Sequence, residues 1–238
     1  MDMTIRVKAE SLDTQAEFGL ISNLISIVCR FVFQPIEEMA FNLFSKFKKQ
    51  SENIDDGKDQ KLEEQSDSKV QDPLYVLAKI TQFLCFIGFG MIIFGIFFSR
   101  MFIRIVYTEK WATESAHQIM IAYCIYTLFM AINGVTEAFT YAKASSQVLR
   151  QLQKGLVLTS IVYVLASILL SKLMGIQGLI YSNCINMTIR IIMNINFSLK
   201  QESQDRKVTY KQLMKQFVKD LTNVDYKFII SMIKNRRK

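Results

Sequence analysis

The stretch Leu74–Ser99, LYVLAKITQFLCFIGFGMIIFGIFFS, is apolar except for Lys79 and a few small polar residues. At 1.5 Å of rise per residue, a helix of this length crosses a hydrocarbon layer of roughly 30 Å. Working outward, four more blocks have the same character: Phe18–Phe44, Gln118–Phe139, Gly155–Leu173 and Ile176–Leu199. The runs are continuous rather than alternating, and an open strand edge has no water to satisfy it in lipid, so helices are predicted and barrel strands are not. Half of the 238 residues are hydrophobic, with 18 Phe and 12 Met against 2 Pro. The fold class expected is therefore all-α, a polytopic membrane helix bundle of about five transmembrane helices.

The charges lie between the blocks. Lys and Arg number twenty on one side of the spans (the 45–73 loop, the 140–154 loop and the 200–238 tail) and six on the other. By the positive-inside rule the richer side is cytoplasmic, which places the polar 1–17 segment and the 100–117 loop in the lumen. Much of the +8 net charge then sits on a basic cytoplasmic tail, where anionic membrane lipids are the natural counter-ion and nucleic acid is not. The 45–73 loop mixes both signs with almost no apolar content and is expected to be a disordered linker. In the tail, Tyr210, Met214, Phe217 and Leu221, then Phe228–Ile233, recur among lysines. A basic amphipathic helix lying on the membrane and the approach to a further span fit that pattern equally well. The first seventeen residues, MDMTIRVKAESLDTQAE, contain no cleavable signal, so the first span is expected to act as a signal anchor or the chain to be part of something longer.

Chemistry for catalysis is sparse. His117 is the single histidine, and Cys29, Cys85, Cys124 and Cys184 fall one to a span without a C-x-x-C pair. They read as apolar packing residues, neither disulfides nor metal ligands. No nucleophile–base constellation or phosphate-cradling loop is visible, so no enzyme, metal or cofactor is expected. Asn186 and Asn196 open N-x-S/T patterns, but inside or at the cytoplasmic end of a span neither can be glycosylated.

Polar residues inside the spans carry the information, because an ionised group at mid-membrane costs about 2.5–3.5 kcal/mol on insertion scales. On the first span, Arg30, Gln34 and Glu37 project within about 60° of one another if the helix is regular, and Glu38 points about 100° away. Pro35 removes a backbone hydrogen bond and is expected to kink that helix. Tyr126, Met130, Asn133 and Glu137 stripe the third span, and Asn183, Asn186, Arg190 and Asn194 the fifth, over roughly 80°. Three polar faces turned inward would pair Arg30 or Arg190 with Glu37 or Glu137. Such pairs either fix helix register or line a wet cavity for polar cargo, and spacing does not choose between these.

Three strings, in order, carry a resemblance: SNLISIVCRFVFQPIEEMAF (22–41), AINGVTEAFTYA (131–142) and GLIYSNCINMTIRI (178–191). With these the chain closely resembles the Rft family of endoplasmic-reticulum membrane proteins, within the superfamily of multidrug, oligosaccharidyl-lipid and polysaccharide exporters. The resemblance implies a multi-pass protein of about a dozen or more spans in two pseudo-symmetric bundles, of which this chain would supply most of the second and could not transport alone. It also implies support for translocation of a dolichol-diphosphate-linked oligosaccharide for N-glycosylation, alongside other membrane proteins of that pathway. Carried onto this sequence, its motif residues are Arg30, Gln34, Pro35, Glu37, Glu38, Asn133, Gly134, Glu137, Asn183, Asn186 and Arg190. Arg30 and Arg190 would attract the diphosphate, and Glu37, Glu137 and the asparagines would meet sugar hydroxyls. Pro35, Glu38 and Gly134 would be structural. A non-transporting scaffold, and an exporter of amphiphiles coupled to ions through Glu37 and Glu137, remain alternatives.

Overall fold

The computed structural model describes residues 12–55, 72–144 and 146–223. Most of the polar 1–17 segment, residues 56–71 of the expected linker and the Phe228–Ile233 run lie outside the described residues. Those described form helices joined by short turns, with no strand. In chain order they are α1 (Leu12–Val28), α2 (Gln34–Asp55), α3 (Pro73–Val106), α4 (Glu114–Lys143), α5 (Ser146–Met174), α6 (Gln177–Arg206) and α7 (Tyr210–Thr222), with a π-helical turn at Cys29–Phe33 fusing α1 to α2.

The continuous rod α1–α2 runs parallel to α4 and α6, and α3 and α5 run the opposite way. One end of the bundle gathers the ends of α2, α4 and α6, the starts of α3 and α5, and all of α7; with its lysines and arginines it is here called the basic end. The central helix is α4, which touches α1, α2, α3 and α6. Where α3 crosses it, Gly88 and Gly95 leave room for Leu128 and Cys124, the small-residue contact that lets membrane helices approach closely. Phe33, Phe44, Leu77, Leu84, Val135, Phe139, Leu213 and Phe217 form the core toward the basic end. Ile21, Ile25, Ile103, Ile119 and Ile180 form the other. Outward, α3 shows Phe86, Phe89, Phe97 and Met101, and α5 shows Val157, Leu165 and Leu173, a surface that lipid and not water can cover.

The described helices refine several expectations. Four segments are long and apolar enough to cross a membrane: Leu12–Lys48, Pro73–Val106, Glu114–Lys143 and Val148–Met174. The expected fifth span lies within α6, whose 30 residues rise about 45 Å beside α4 and α5. Its polar residues lower its mean hydropathy because one face is turned to protein. Linker residues 45–55 continue α2 as helix, and α6 runs beyond Leu199 to Arg206. In the described part of the tail, α7 packs across α3 and α6 with Leu213 and Phe217 buried, rather than laying that apolar face on lipid.

Polar clasps fix the basic end. Asp72 caps α3 through the Leu74 N–H at 3.0 Å and receives two Arg206 hydrogen bonds at 2.6 and 2.9 Å. Arg206 also reaches Glu202 at 2.8 Å, and Glu202 in turn pairs with Lys143. Burial alone would raise the Asp72 carboxyl, but the Arg206 bonds and charge and the Leu74 and Tyr75 N–H groups outweigh it and hold it below the ordinary carboxylate range. Because the folded value is depressed, this clasp stabilises fully above about pH 4 and is lost as pH falls through the folded value. Asp72→Asn is therefore expected to speed hydrogen exchange in the first turn of α3 at neutral pH and to flatten the acid dependence seen in the parent. An unchanged acid dependence in the variant would refute the assignment.

Candidate functional site

Pro35 has no N–H to return to the Phe31 carbonyl, and the helix widens into the π turn just before it. There the Gln34 N–H reaches the Cys29 carbonyl, five residues back. One extra residue in a turn rotates the helix on its N-terminal side by about 100° relative to the helix on its C-terminal side. The face predicted for Arg30, Gln34 and Glu37 is therefore split. Arg30 is exposed and has no partner among the described residues. Gln34 donates to Glu38 at 3.2 Å, so it belongs with the acid expected to point elsewhere. Glu37 alone turns to α4, where its carboxylate lies against Gly134 so closely that any Cβ there would collide with it.

Beside that contact a cavity of about 400 Å³ opens between α2 and α4, lined by Glu37, Glu38, Phe41, Asn42, Gly134, Glu137, Ala138 and Tyr141. Glu137 and Tyr141 also line a narrow cleft of about 10 Å³ shared with Leu152, Leu156, Arg190, Met193 and Asn194. They thus form the wall between the two. Through that wall runs one of the four pairings that spacing left open: Arg190 Nη2 donates to Glu137 Oε2 at 2.7 Å, and Asn133 Nδ2 donates to the same oxygen at 3.1 Å. Both charged side chains keep about a fifth of their surface exposed, 22% and 21%.

The pair is not fully satisfied. Asn133 Oδ1, Asn186 Oδ1 and Arg190 Nε are buried without a hydrogen-bond partner, and each such atom costs about 1–3 kcal/mol unless something bonds it. Asn186 lies one turn before Arg190 on α6. Asn183, half-buried and further from the basic end, lines neither cavity. Toward the basic end the α4–α6 seam continues as Thr140 Oγ1 to Ser198 Oγ at 3.0 Å and then the Lys143–Glu202 pair. Sequence reading passed over Tyr141, Thr140, Ser198 and the seam's charged end. The signal was there in the spacing of four between Asn186, Arg190, Asn194 and Ser198, matched by Asn133, Glu137 and Tyr141 on α4.

With three carboxylates and no basic side chain in its lining, the larger cavity is net negative. It suits donors such as hydroxyl groups and disfavours a free anion. Glu137 is six residues, about 9 Å, from the end of α4 at Lys143, so the cavity lies in the half of the bundle nearer the basic end. Among the described residues, no group of three His, Cys, Asp or Glu is placed to hold a metal ion, and the four cysteines are free.

The model of the Rft protein family matches residues 2–238. The chain belongs to the Rft family. Relatives include the Man(5)GlcNAc(2)-PP-dolichol translocation protein RFT1 of Mus musculus, 32% identical over 183 residues, which cover 77% of this chain and 32% of that protein. The protein of the same name from Saccharomyces cerevisiae is 31% identical over 184 residues, covering 76% of this chain and 30% of its own. That from Caenorhabditis elegans is 31% identical over 193 residues, 77% of this chain and 34% of its own. This Rft chain thus spans about a third of the length of the curated relatives it matches. No solved structure matches it. The match and the four long apolar helices make the Rft chain a multi-pass membrane protein, and the relatives given above carry the name of translocation proteins.

Proposed function

We propose that this chain forms part of the wall of a path along which a dolichol-diphosphate-linked oligosaccharide crosses the endoplasmic reticulum membrane for protein N-glycosylation. The observation that carries the reading is the cavity of about 400 Å³ lined by Glu37, Glu38 and Glu137 in a chain of the Rft family. The basic end faces the cytoplasm, by the excess of Lys and Arg there. On this reading the cavity near that end receives the sugar head from the cytoplasmic leaflet. Glu37, Glu38 and Glu137 accept from its hydroxyls, while Asn133 and Asn186, which line neither cavity, stand behind Glu137 and Arg190. Arg190, already neutralised, positions Glu137 and does not receive the diphosphate, and Arg30 takes no part in the cavity.

A second reading, a scaffold that carries no cargo, is favoured by the α4–α6 seam. Its Glu137–Arg190, Thr140–Ser198 and Lys143–Glu202 steps lock the register of two helices whatever passes beside them. Both readings are tested by replacing the matching segment of the Saccharomyces cerevisiae relative with this chain in cells lacking their own copy. Normal lipid-linked oligosaccharide is expected, and Glu37→Ala with Glu38→Ala is expected to let the precursor accumulate at least tenfold, the loss of about 1.4 kcal/mol of binding. Unchanged precursor in that double variant would overturn the cavity assignment. Headgroup scrambling by the purified chimera in liposomes separates carrier from scaffold.

A further inference from the structure

Helix α7 has two faces with separate tasks. Leu213 and Phe217 are buried in the core of α2, α3 and α4, and Met214 packs beside them. The buried Lys79 ammonium on α3 holds the C-terminal carbonyls of α7, donating to Asp220 O at 2.9 Å and to Asn223 O. At the other end of α7 the Tyr210 hydroxyl donates to Asn196 Oδ1 on α6 at 2.8 Å. The helix is therefore strapped across α3 and α6. Its opposite face carries Lys211, Lys215 and Lys219, within about 80° of one another and all exposed.

Like charges spaced by four on a helix repel, by a few tenths of a kcal/mol per pair. None of these lysines has a carboxylate partner among the described residues. The strap also fixes their depth. Lys79, which holds one end of α7, is seven residues, about 10 Å, from Phe86, the first large side chain of α3 that lipid must cover. Asn196, at the other end, is four residues, about 6 Å, from the exposed Ile192 on α6. Both ends of α7 thus lie within about 10 Å of the first side chains that lipid must cover, which sets the helix near the level where the hydrocarbon ends.

We propose that the Lys211–Lys215–Lys219 face of α7 is a docking surface for the anionic headgroups of the leaflet at the basic end. Because the apolar face is already spent on α3, attachment is electrostatic and does not require insertion. Each lysine near an anionic surface contributes roughly 1 kcal/mol, or about fivefold in occupancy, and the attraction fades beyond a Debye length. Headgroups that bind only the docked helix also hold it docked, by mass action.

The test is hydrogen exchange of α7 in the protein reconstituted in nanodiscs of phosphatidylcholine alone or mixed with phosphatidylserine. Exchange is expected to slow in the mixed discs by about fivefold per engaged lysine, and the difference to vanish in high salt. In Lys211→Gln/Lys215→Gln/Lys219→Gln, which keeps helix propensity and leaves Leu213, Phe217 and Lys79 in place, exchange should be equal in the two discs. Lys172→Gln, at the opposite end, should retain the difference. Equal exchange of the parent in both lipids would overturn the proposal, as would a lipid difference that survives the triple substitution. Protection in neutral discs by an added soluble polyanion, with none from phosphatidylserine, would assign the face to a macromolecular partner and overturn it as well.

Discussion

Glu137→Ala should destabilise the bundle by about 3 kcal/mol, and by more than Arg190→Ala does. The asymmetry comes from what each change leaves behind. Without Glu137, the Arg190 guanidinium stays charged at every accessible pH and keeps its buried Nε orphan, now with Nη2 unpaired as well. Without Arg190, Glu137 keeps its Asn133 bond and still lines the larger cavity, so it is not left bare in a dry site. A pair with about a fifth of its surface exposed belongs near the lower end of the 3–5 kcal/mol typical of broken buried pairs. Replacing both, Glu137→Leu with Arg190→Met, should recover most of the loss, since apolar pairs of similar volume commonly match or exceed buried ion pairs. Thermal unfolding of the four proteins in the same lipid gives the cycle. Equal losses in the two single variants would mean that Arg190 is held by a charge other than Glu137. The same double variant divides the two functional readings: if it folds and the chimera still clears its precursor, Glu137 serves the seam, and if it folds and the precursor accumulates, Glu137 serves cargo.

What the sequence made legible was whatever depends on local composition and regular periodicity. The Leu74–Ser99 block lies in a helix long and apolar enough to cross a membrane, and of the pairings that the polar stripes left open, Arg190 with Glu137 is the one that formed. The failures fall where periodicity breaks or where a partner is remote. The face drawn through Arg30, Gln34 and Glu37 assumed 100° per residue across a π turn that Pro35 provokes, and the turn moved Arg30 off it. The fifth block is less apolar than the others because its polar face meets α4, a cost that a lone helix would bear and a packed one does not. Lys79 looked like an isolated charge in an apolar span. Its acceptors are 141 and 144 residues away, at the end of a helix whose docking no local pattern foretells.

Gly134 gives the other large effect, and its sign separates two explanations of the same residue. A glycine inside a helix costs about 0.5–1 kcal/mol relative to alanine, so on propensity alone Gly134→Ala would stabilise α4. A Cβ at that position would instead collide with the Glu37 carboxylate and its Cγ, where α2 faces α4. To make room the carboxylate must turn away from Gly134 and give up its place beside Glu137, while Phe44 and Phe139, whose rings stand edge to face at 4.8 Å, keep α2 from moving off α4. Gly134→Ala is therefore expected to destabilise by about 2 kcal/mol, the usual range for overpacking, and Gly134→Leu by more. In a Glu37→Ala background the obstacle is gone, and the same Gly134→Ala change should be neutral or stabilising. A coupling of about 2–3 kcal/mol between the two sites is the expected result of that cycle, read from unfolding of the four proteins in lipid. If Gly134→Ala costs the same in both backgrounds, the glycine is there for helix bending and not to seat the acid. If the sign reverses as expected, Gly134 is the seat that keeps Glu37 and Glu137 on one cavity, and Glu37 reaches that cavity because of α4 rather than because of its own helix face.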